Sequence, residues 1–321
     1  MSRPVRTALG APLLAALLLV GCSSSPPSSA GSAVPDRSDD ASVAPSAPAT
    51  TAPGESAAPL AIERFAPDVV STDDEEYRIS FSADGTTALF ARGDGFFPQT
   101  RDATIYETRL DGDAWTEPSV APFSGEFPDI DPWFSPDGTS VYFSSIRPVD
   151  GTPRNDAELF RVDRTETGWS DPVHLASLGS EGDELGASVS SDGTIVFASD
   201  RNGSSTGWDL FTASPDADGS YGEPEEIGQL NTASWEFNPA VSADGSAMVF
   251  TSIGRDGGSG LGDLFLAERN GDAWSEVGPL RTNSGADEYH ASWSADGAQL
   301  LFVRRAGDGD LFSVSWEAAK P

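Results

Sequence analysis

Five carboxylates stand six residues ahead of five copies of one turn: Glu76, Asp129, Glu184, Glu236 and Glu288 precede Ser82, Ser135, Ser190, Ser242 and Ser294. If the segments that carry them surround a common axis, the acids form a ring. Like charges at close range either raise one another's pKa or recruit a cation. An arginine recurs just as regularly, at Arg92, Arg147, Arg201, Arg255 and Arg304. Five acids and five arginines can therefore also pair with one another or cap backbone N–H groups. His290 lies two residues beyond Glu288, and Arg78, Asp131 and Asn238 occupy the equivalent positions of other copies. A varied set of this kind is what a site grafted onto a symmetric scaffold looks like. The candidate site is thus the axial ring of Glu76, Asp129, Glu184, Glu236 and Glu288 together with His290, in a binding or a structural role.

Other reactive patterns are weak. Gly203-Ser204-Ser205-Thr206-Gly207 matches the Gly-x-Ser-x-Gly string but lies in a loop between strands, whereas a nucleophile elbow needs a strand-to-helix turn. Gly258-Ser259-Gly260-Leu261-Gly262 lacks the following helix that a phosphate cradle needs. Asp-Gly-Asp at 111–113 and 308–310 falls short of a calcium loop and reads as two turns. Two histidines and one cysteine give little support to a zinc site or a His-based triad. His174 is expected in an outer strand, facing solvent. No catalytic, cofactor-binding or metal-binding residue is assigned.

The elements that position the ring follow from the turn itself. Ser135-Pro136-Asp137-Gly138 separates two apolar runs, and Asp-Gly between such runs marks a hairpin because Gly accepts positive φ. The five turn aspartates, Asp84, Asp137, Asp192, Asp244 and Asp296, are 53, 55, 52 and 52 residues apart. A period near 50 with strands in every unit predicts a β-propeller. Strand a runs into the turn; strand b ends on Phe90, Phe143, Phe197, Phe250 or Phe302. Strand c carries Ile105-Tyr106, Leu159-Phe160, Leu210-Phe211, Leu264-Phe265 or Leu311-Phe312. Strand d follows Trp115, Trp169, Tyr221 or Trp274, with Pro118, Pro172 and Pro224 suiting an edge strand that needs no ladder N–H. The fifth copy stops after strand c, and Pro59-Leu60-Ala61-Ile62 parallels Pro172-Val173-His174-Leu175, so the N-terminal segment is expected to close the last blade. The predicted fold is all-β: one five-bladed propeller of four-stranded blades over residues 58–321.

These residues also carry a family resemblance. Ser190 to Gly203, reading Ser-Ser-Asp-Gly-Thr-Ile-Val-Phe-Ala-Ser-Asp-Arg-Asn-Gly, resembles the WD40-like propeller repeat of TolB-like proteins. The resemblance covers about residues 74 to 315 and implies envelope-associated protein contacts. The chain departs from TolB-like translocation proteins in having five copies rather than six and a low-complexity stretch where they carry a folded domain.

Residues 1–22 read as an export signal: Arg3 and Arg6 precede the apolar stretch Leu9 to Val20, and Leu19-Val20-Gly21-Cys22 resembles the bacterial lipobox. In such proteins the cysteine is acylated, so Cys22 is the expected lipidation site. As the only cysteine it excludes an intramolecular disulfide. Residues 23–57 are Ser-, Pro- and Ala-rich and read as a disordered tether. The formal net charge of −32 repels phosphate backbones, excluding nucleic acid as a ready partner. Membrane attachment then rests on the lipid alone, at the outer face of the cytoplasmic membrane or in the envelope. These features lead to the expectation of a monomeric, non-enzymatic binding or scaffolding module with an envelope protein or small ligand as partner. The alternative is a carbohydrate-active enzyme with axial carboxylates, which requires one carboxyl kept protonated and another ionised.

Overall fold

The computed structural model describes residues 59–95, 101–203 and 207–321. Cys22, the segment 23–57 and the centre of the Gly203–Gly207 string lie outside the described residues. Five antiparallel sheets surround one axis, each beginning with its innermost strand a. Blade 1 consists of Glu75–Phe81, Thr87–Gly93, Ala103–Asp111 and Ser119–Val120. Blade 2 consists of Asp129–Phe134, Ser140–Ser145, Glu158–Thr165 and Val173–His174. Blade 3 has Glu184–Val189, Ile195–Ser199, Asp209–Ala213 and Glu225–Glu226. Blade 4 has Trp235–Val241, Ala247–Ile253, Gly262–Asn270 and Ala273–Pro279. Blade 5 supplies Asp287–Trp293, Gln299–Arg305 and Gly309–Ser315 from the C-terminal end of the chain.

The ring is closed from the N-terminal side, three residues later than the sequence suggests: Arg64, not Ala61, takes the place that His174 has in blade 2. Glu63–Arg64 pairs with strand c of blade 5, Glu63 opposite Ser313 and Arg64 opposite Phe312. Leu60 and Ile62 pack against the core instead of entering the sheet. Arg64 ties the closing strand to Asp310 through its Nε at 2.9 Å. A single helical turn, Trp316–Ala319, ends the chain, and Trp316 meets Trp293 edge-on at 4.5 Å.

Each Ser-x-Asp-Gly turn is held by the same short-range bonds. In the first, Ser82 Oγ donates to Asp84 Oδ1 at 2.6 Å, and the Thr86 amide donates to the same oxygen at 3.0 Å. Gly85 takes φ +70°, a conformation that costs glycine little. These donors pull the Asp84 carboxyl down to about 2. Behind the turns, the recurrent phenylalanine lies inside strand b rather than at its end, since each strand runs two or three residues past it. It is fully buried in every blade and stacks on an aromatic of strand c, as Phe250 does on Phe265 at 5.9 Å. The five turns thus fix the hairpins, and the five aromatic pairs fill the space between neighbouring blades.

Candidate active site at the propeller axis

The five recurrent acids do not line the channel. All five are fully buried, and each is engaged within its own blade. Glu236 accepts from the Thr232 amide at 3.0 Å, Thr232 Oγ1 at 2.8 Å, Ser252 Oγ at 3.0 Å and Arg255 at 2.9 Å. Glu76 takes the Thr72 hydroxyl and Arg92; Glu184 takes Ser180, Ser199 and Arg201; Glu288 takes Ser284 and Arg304. Asp129, one methylene shorter, reaches Ser124 at 2.7 Å and Arg147 at 2.6 Å. The arginines in turn lie on the aromatic pairs: Arg255 is 5.3 Å from both the Phe250 and the Phe265 ring centroids. Acid, arginine and two aromatics form one repeated unit that locks strands a, b and c together. Burial pushes Glu76 and Glu184 up to about 7, against the pull of their hydroxyl, amide and arginine donors.

The groups that do reach the axis are the residues two positions further on. Every innermost strand is irregular at this point, with register shifts between Glu76 and Ile79, Ile130 and Trp133, Leu185 and Ser188, Phe237 and Ala240, and Tyr289 and Ser292. A bulge re-aims the side chain it carries. Asp131, Gly186, Asn238 and His290 sit there with φ of +57°, +64°, +46° and +52°. Glycine, Asp, Asn and His are the residues that tolerate this region best, so backbone strain narrows the choice at these positions. The contacts decide the chemistry.

His290 Nδ1 lies 3.0 Å from Asp131 Oδ1, and Asn238 Nδ2 donates to Asp131 Oδ2 at 3.1 Å. Three blades therefore meet on one carboxylate. Burial alone would raise the Asp131 pKa, but His290, the charge of Arg78 and Asn238 outweigh it and hold the carboxyl below its usual range. An ionised carboxylate only accepts, so Nδ1 of His290 carries the hydrogen and Nε2 is left for another group. Arg78, from blade 1, reaches across to blades 3 and 4, donating to the carbonyls of Gly186, Ala187 and Pro239 at 3.0, 3.2 and 2.9 Å. Complete burial lowers Arg78 to about 10, which leaves it protonated at neutral pH. A Cβ at Gly186 would come within 3.0 Å of Asn238, so blade 3 yields its place on the axis to its neighbour. Asn238 Oδ1 and Arg78 Nε are buried without a partner among the described residues.

Tyr77 lies edge-on to His290 at 5.5 Å, and the negative fields of Glu75 and Asp131 both act on it. Glu75 is held by Arg305 at 3.1 Å. Of the six candidate ring residues only His290 joins this axial cluster, together with Arg78, Asp131 and Asn238, which the sequence places at equivalent positions of other copies. Glu76, Asp129, Glu184, Glu236 and Glu288 brace the blades around it. His174 is not simply solvent-facing: its Nε2 lies 3.1 Å from Glu158, and its ring packs on Phe160 at 5.2 Å. The Gly258–Gly262 loop turns its amides inward, Ser259 and Gly260 both donating to Asp263. Among the described residues no three His, Cys, Asp or Glu side chains converge as metal ligands.

No protein-family model matches this sequence, and no curated protein sequence does. Among solved structures, the fold is similar to an α-L-arabinofuranosidase from Lactobacillus brevis, with TM-score 0.51 and 13% identity over 79% of this chain and 93% of that one. It is also similar to a xylan β-1,4-xylosidase from Bacillus halodurans, with TM-score 0.47 and 16% identity over 80% of this chain and 57% of that one. An α-L-arabinofuranosidase from Podospora anserina matches with TM-score 0.43 and 12% identity, over 80% and 94% of the two chains. At 13% identity the likeness to the Lactobacillus brevis structure supports the fold. It also corrects the expectation of a non-enzymatic module: the Lactobacillus brevis structure that shares the ring is an enzyme. Where five like acids were expected to ring the axis, it holds an unequal set of groups drawn from different blades.

Proposed function

We propose that this chain is a carbohydrate-active enzyme that works at the propeller axis, with Asp131 and His290 as its proton-handling pair. The observation that carries the reading is the contact of His290 and Asn238 with the buried, ionised Asp131. Symmetry would place five like residues there, and the chain instead brings together a carboxylate, an imidazole, an amide and a guanidinium. The unpartnered Asn238 Oδ1 adds an acceptor suited to a sugar hydroxyl.

Glycoside cleavage breaks the bond between the anomeric carbon and its exocyclic oxygen and passes through a positively charged, oxocarbenium-like state. A carboxylate kept ionised stabilises that charge, which is the role we assign to Asp131. His290, oriented through Nδ1, offers Nε2 for proton transfer with the substrate or with attacking water. Glu75, across Tyr77 from Asp131, is the second carboxylate of the pair such chemistry requires. Arg78 closes the axis beneath them and holds the strands of blades 3 and 4 in place.

Turnover of a panel of aryl glycosides and neutral polysaccharides by the full-length protein tests the reading. His290→Ala and Asp131→Asn are expected to lower kcat by about 10²-fold or more, the usual worth of positioned proton transfer. Glu288→Gln, which touches only the blade brace, should leave kcat within a few-fold. No turnover of any substrate, or equal rates in all three variants, sinks the proposal.

For location, we propose acylation at Cys22, which would hold the enzyme at the outer face of the membrane within reach of envelope glycans. The likeness of Leu19-Val20-Gly21-Cys22 to a lipobox supports this. Cys22→Ala is expected to leave precursor or soluble protein, and mature protein still in the membrane fraction would refute it.

A further inference from the structure

On the same mouth of the ring as His290, between blades 3 and 4, a cavity of about 80 Å³ is lined by Asp200, Gly207, Trp208 and Trp235. Trp235 is 42% exposed, an unusual position for so large an apolar ring. Trp208 stands edge-on to it at 5.5 Å and an interplanar angle of 78°. Trp208 is only 7% exposed, and its Nε1 is buried without a hydrogen-bond partner. A buried donor is costly to leave unpaired, so its retention points to an acceptor supplied from outside. Asp200 receives the Asp183 amide at 2.7 Å through Oδ1, and its Oδ2 makes no hydrogen bond to the described residues. Gly207, at φ +80°, lies where any Cβ would collide with the Trp235 indole. The missing side chain lets the backbone at Gly207 lie directly against the indole.

The cavity connects to the axis through a run of ring contacts. Trp208 meets Phe237 at 5.8 Å, Phe237 meets Tyr289 at 6.0 Å, and Tyr289 meets His290 at 6.4 Å. The backbone gives the same connection, since Trp235 begins the strand that carries Asn238 to Asp131.

We infer that this cavity is a subsite for a neutral sugar unit, the part of an oligosaccharide that lies outward of the axial bond. Trp235 presents a flat apolar face to the C–H face of the sugar ring, Trp208 Nε1 donates to a sugar oxygen, and Asp200 accepts a hydroxyl. Amphipathic aromatics flanked by a few placed polar groups are what such recognition requires. Asp200 and the net charge of −32 disfavour uronic acids and sulfated sugars, which selects the neutral class. The inference rests on the axial reading for its substrate class, but the site is tested by binding alone.

The experiment measures the affinity of full-length protein for neutral xylo- and arabino-oligosaccharides by tryptophan fluorescence and calorimetry, with oligogalacturonate as the charged comparison. Trp235→Ala is expected to weaken binding about tenfold. Trp208→Phe, which keeps the ring and removes the N–H, is expected to weaken it several-fold. Neither change should alter the far-ultraviolet circular dichroism. Binding of neither neutral oligosaccharide, unchanged affinity in both variants, or tighter binding of oligogalacturonate overturns the inference. Turnover is measured on the same preparations. Trp235-dependent binding without turnover upholds the subsite and counts against the axial assignment. Turnover with Trp235-independent binding does the reverse.

Discussion

Replacing Glu236 with Gln removes one oxygen from a carboxylate that four donors surround. Oε1 receives Thr232 Oγ1 at 2.8 Å, Ser252 Oγ at 3.0 Å and Arg255 at 2.9 Å, while Oε2 receives the Thr232 amide at 3.0 Å. The glutamine amide keeps its oxygen on the side with three donors, so its NH₂ faces the Thr232 N–H, donor against donor. One buried amide then loses its acceptor, and Arg255, 8% exposed at its side chain, loses its buried counter-charge. Arg255 retains Leu230 O and Glu276, which limits the damage. The expected cost is about 1–3 kcal/mol. For a domain of this size, each kcal/mol moves Tm by about 2–4 °C, so calorimetry should show a fall of roughly 2–12 °C. Calcium should change neither protein, because the carboxylate has its lone pairs already engaged. An unchanged or raised Tm in the variant would refute the brace. So would a calcium-dependent rise in the wild type that the variant loses, which would return the acids to a shared channel.

Burial raises Glu76 and Glu184 to about 7 in the native state. Between about pH 4.5 and 7 the native protein therefore binds more protons than the unfolded chain, and stability falls as pH rises through that window, by at most about 1.4 kcal/mol per pH unit for each group. Urea unfolding at pH 5, 6, 7 and 8 should show this decline, and Glu184→Gln should flatten it; an equal slope in both proteins would refute the assignment. Deleting residues 59–64 removes the strand that pairs with strand c of blade 5 and the Arg64–Asp310 bridge, so Tm should drop and exchange protection should vanish at Ser313, which faces the closing strand, while Phe312, which faces Phe302 of strand b, keeps its own. Unchanged protection there would mean that the blade needs no closing strand. Phe250→Ala empties a fully buried ring site between Phe265 and Arg255 and is expected to cost about 3–5 kcal/mol by chemical denaturation.

The repeated features of this protein are local, and the sequence carries them without help. Asp-Gly after Ser demands a hairpin turn wherever it occurs, because its bonds run between residues at most five apart. Five such turns at near-constant spacing determine five hairpins, and the phenylalanine that recurs in each strand b determines which faces are buried. Even the acid and the arginine of each blade are legible as partners, since both recur once per copy.

The direction in which those acids point was not legible. The bulge that follows each one rotates the strand, sending Glu236 into its blade and Asn238 to the axis, and no periodicity of two anticipates that shift. Closure presented the same difficulty, because Glu63–Arg64 and Phe312–Ser313 are some 250 residues apart and the match is set by ring geometry. The axial contact of Asp131 with His290 joins residues 159 positions apart, and Asn238 reaches Asp131 across 107. Trp208 and Trp235 belong to different blades, and only the packing of blade 3 on blade 4 makes a cavity of them. Symmetric, short-range chemistry was written into each repeat; the asymmetric site exists only where five repeats meet.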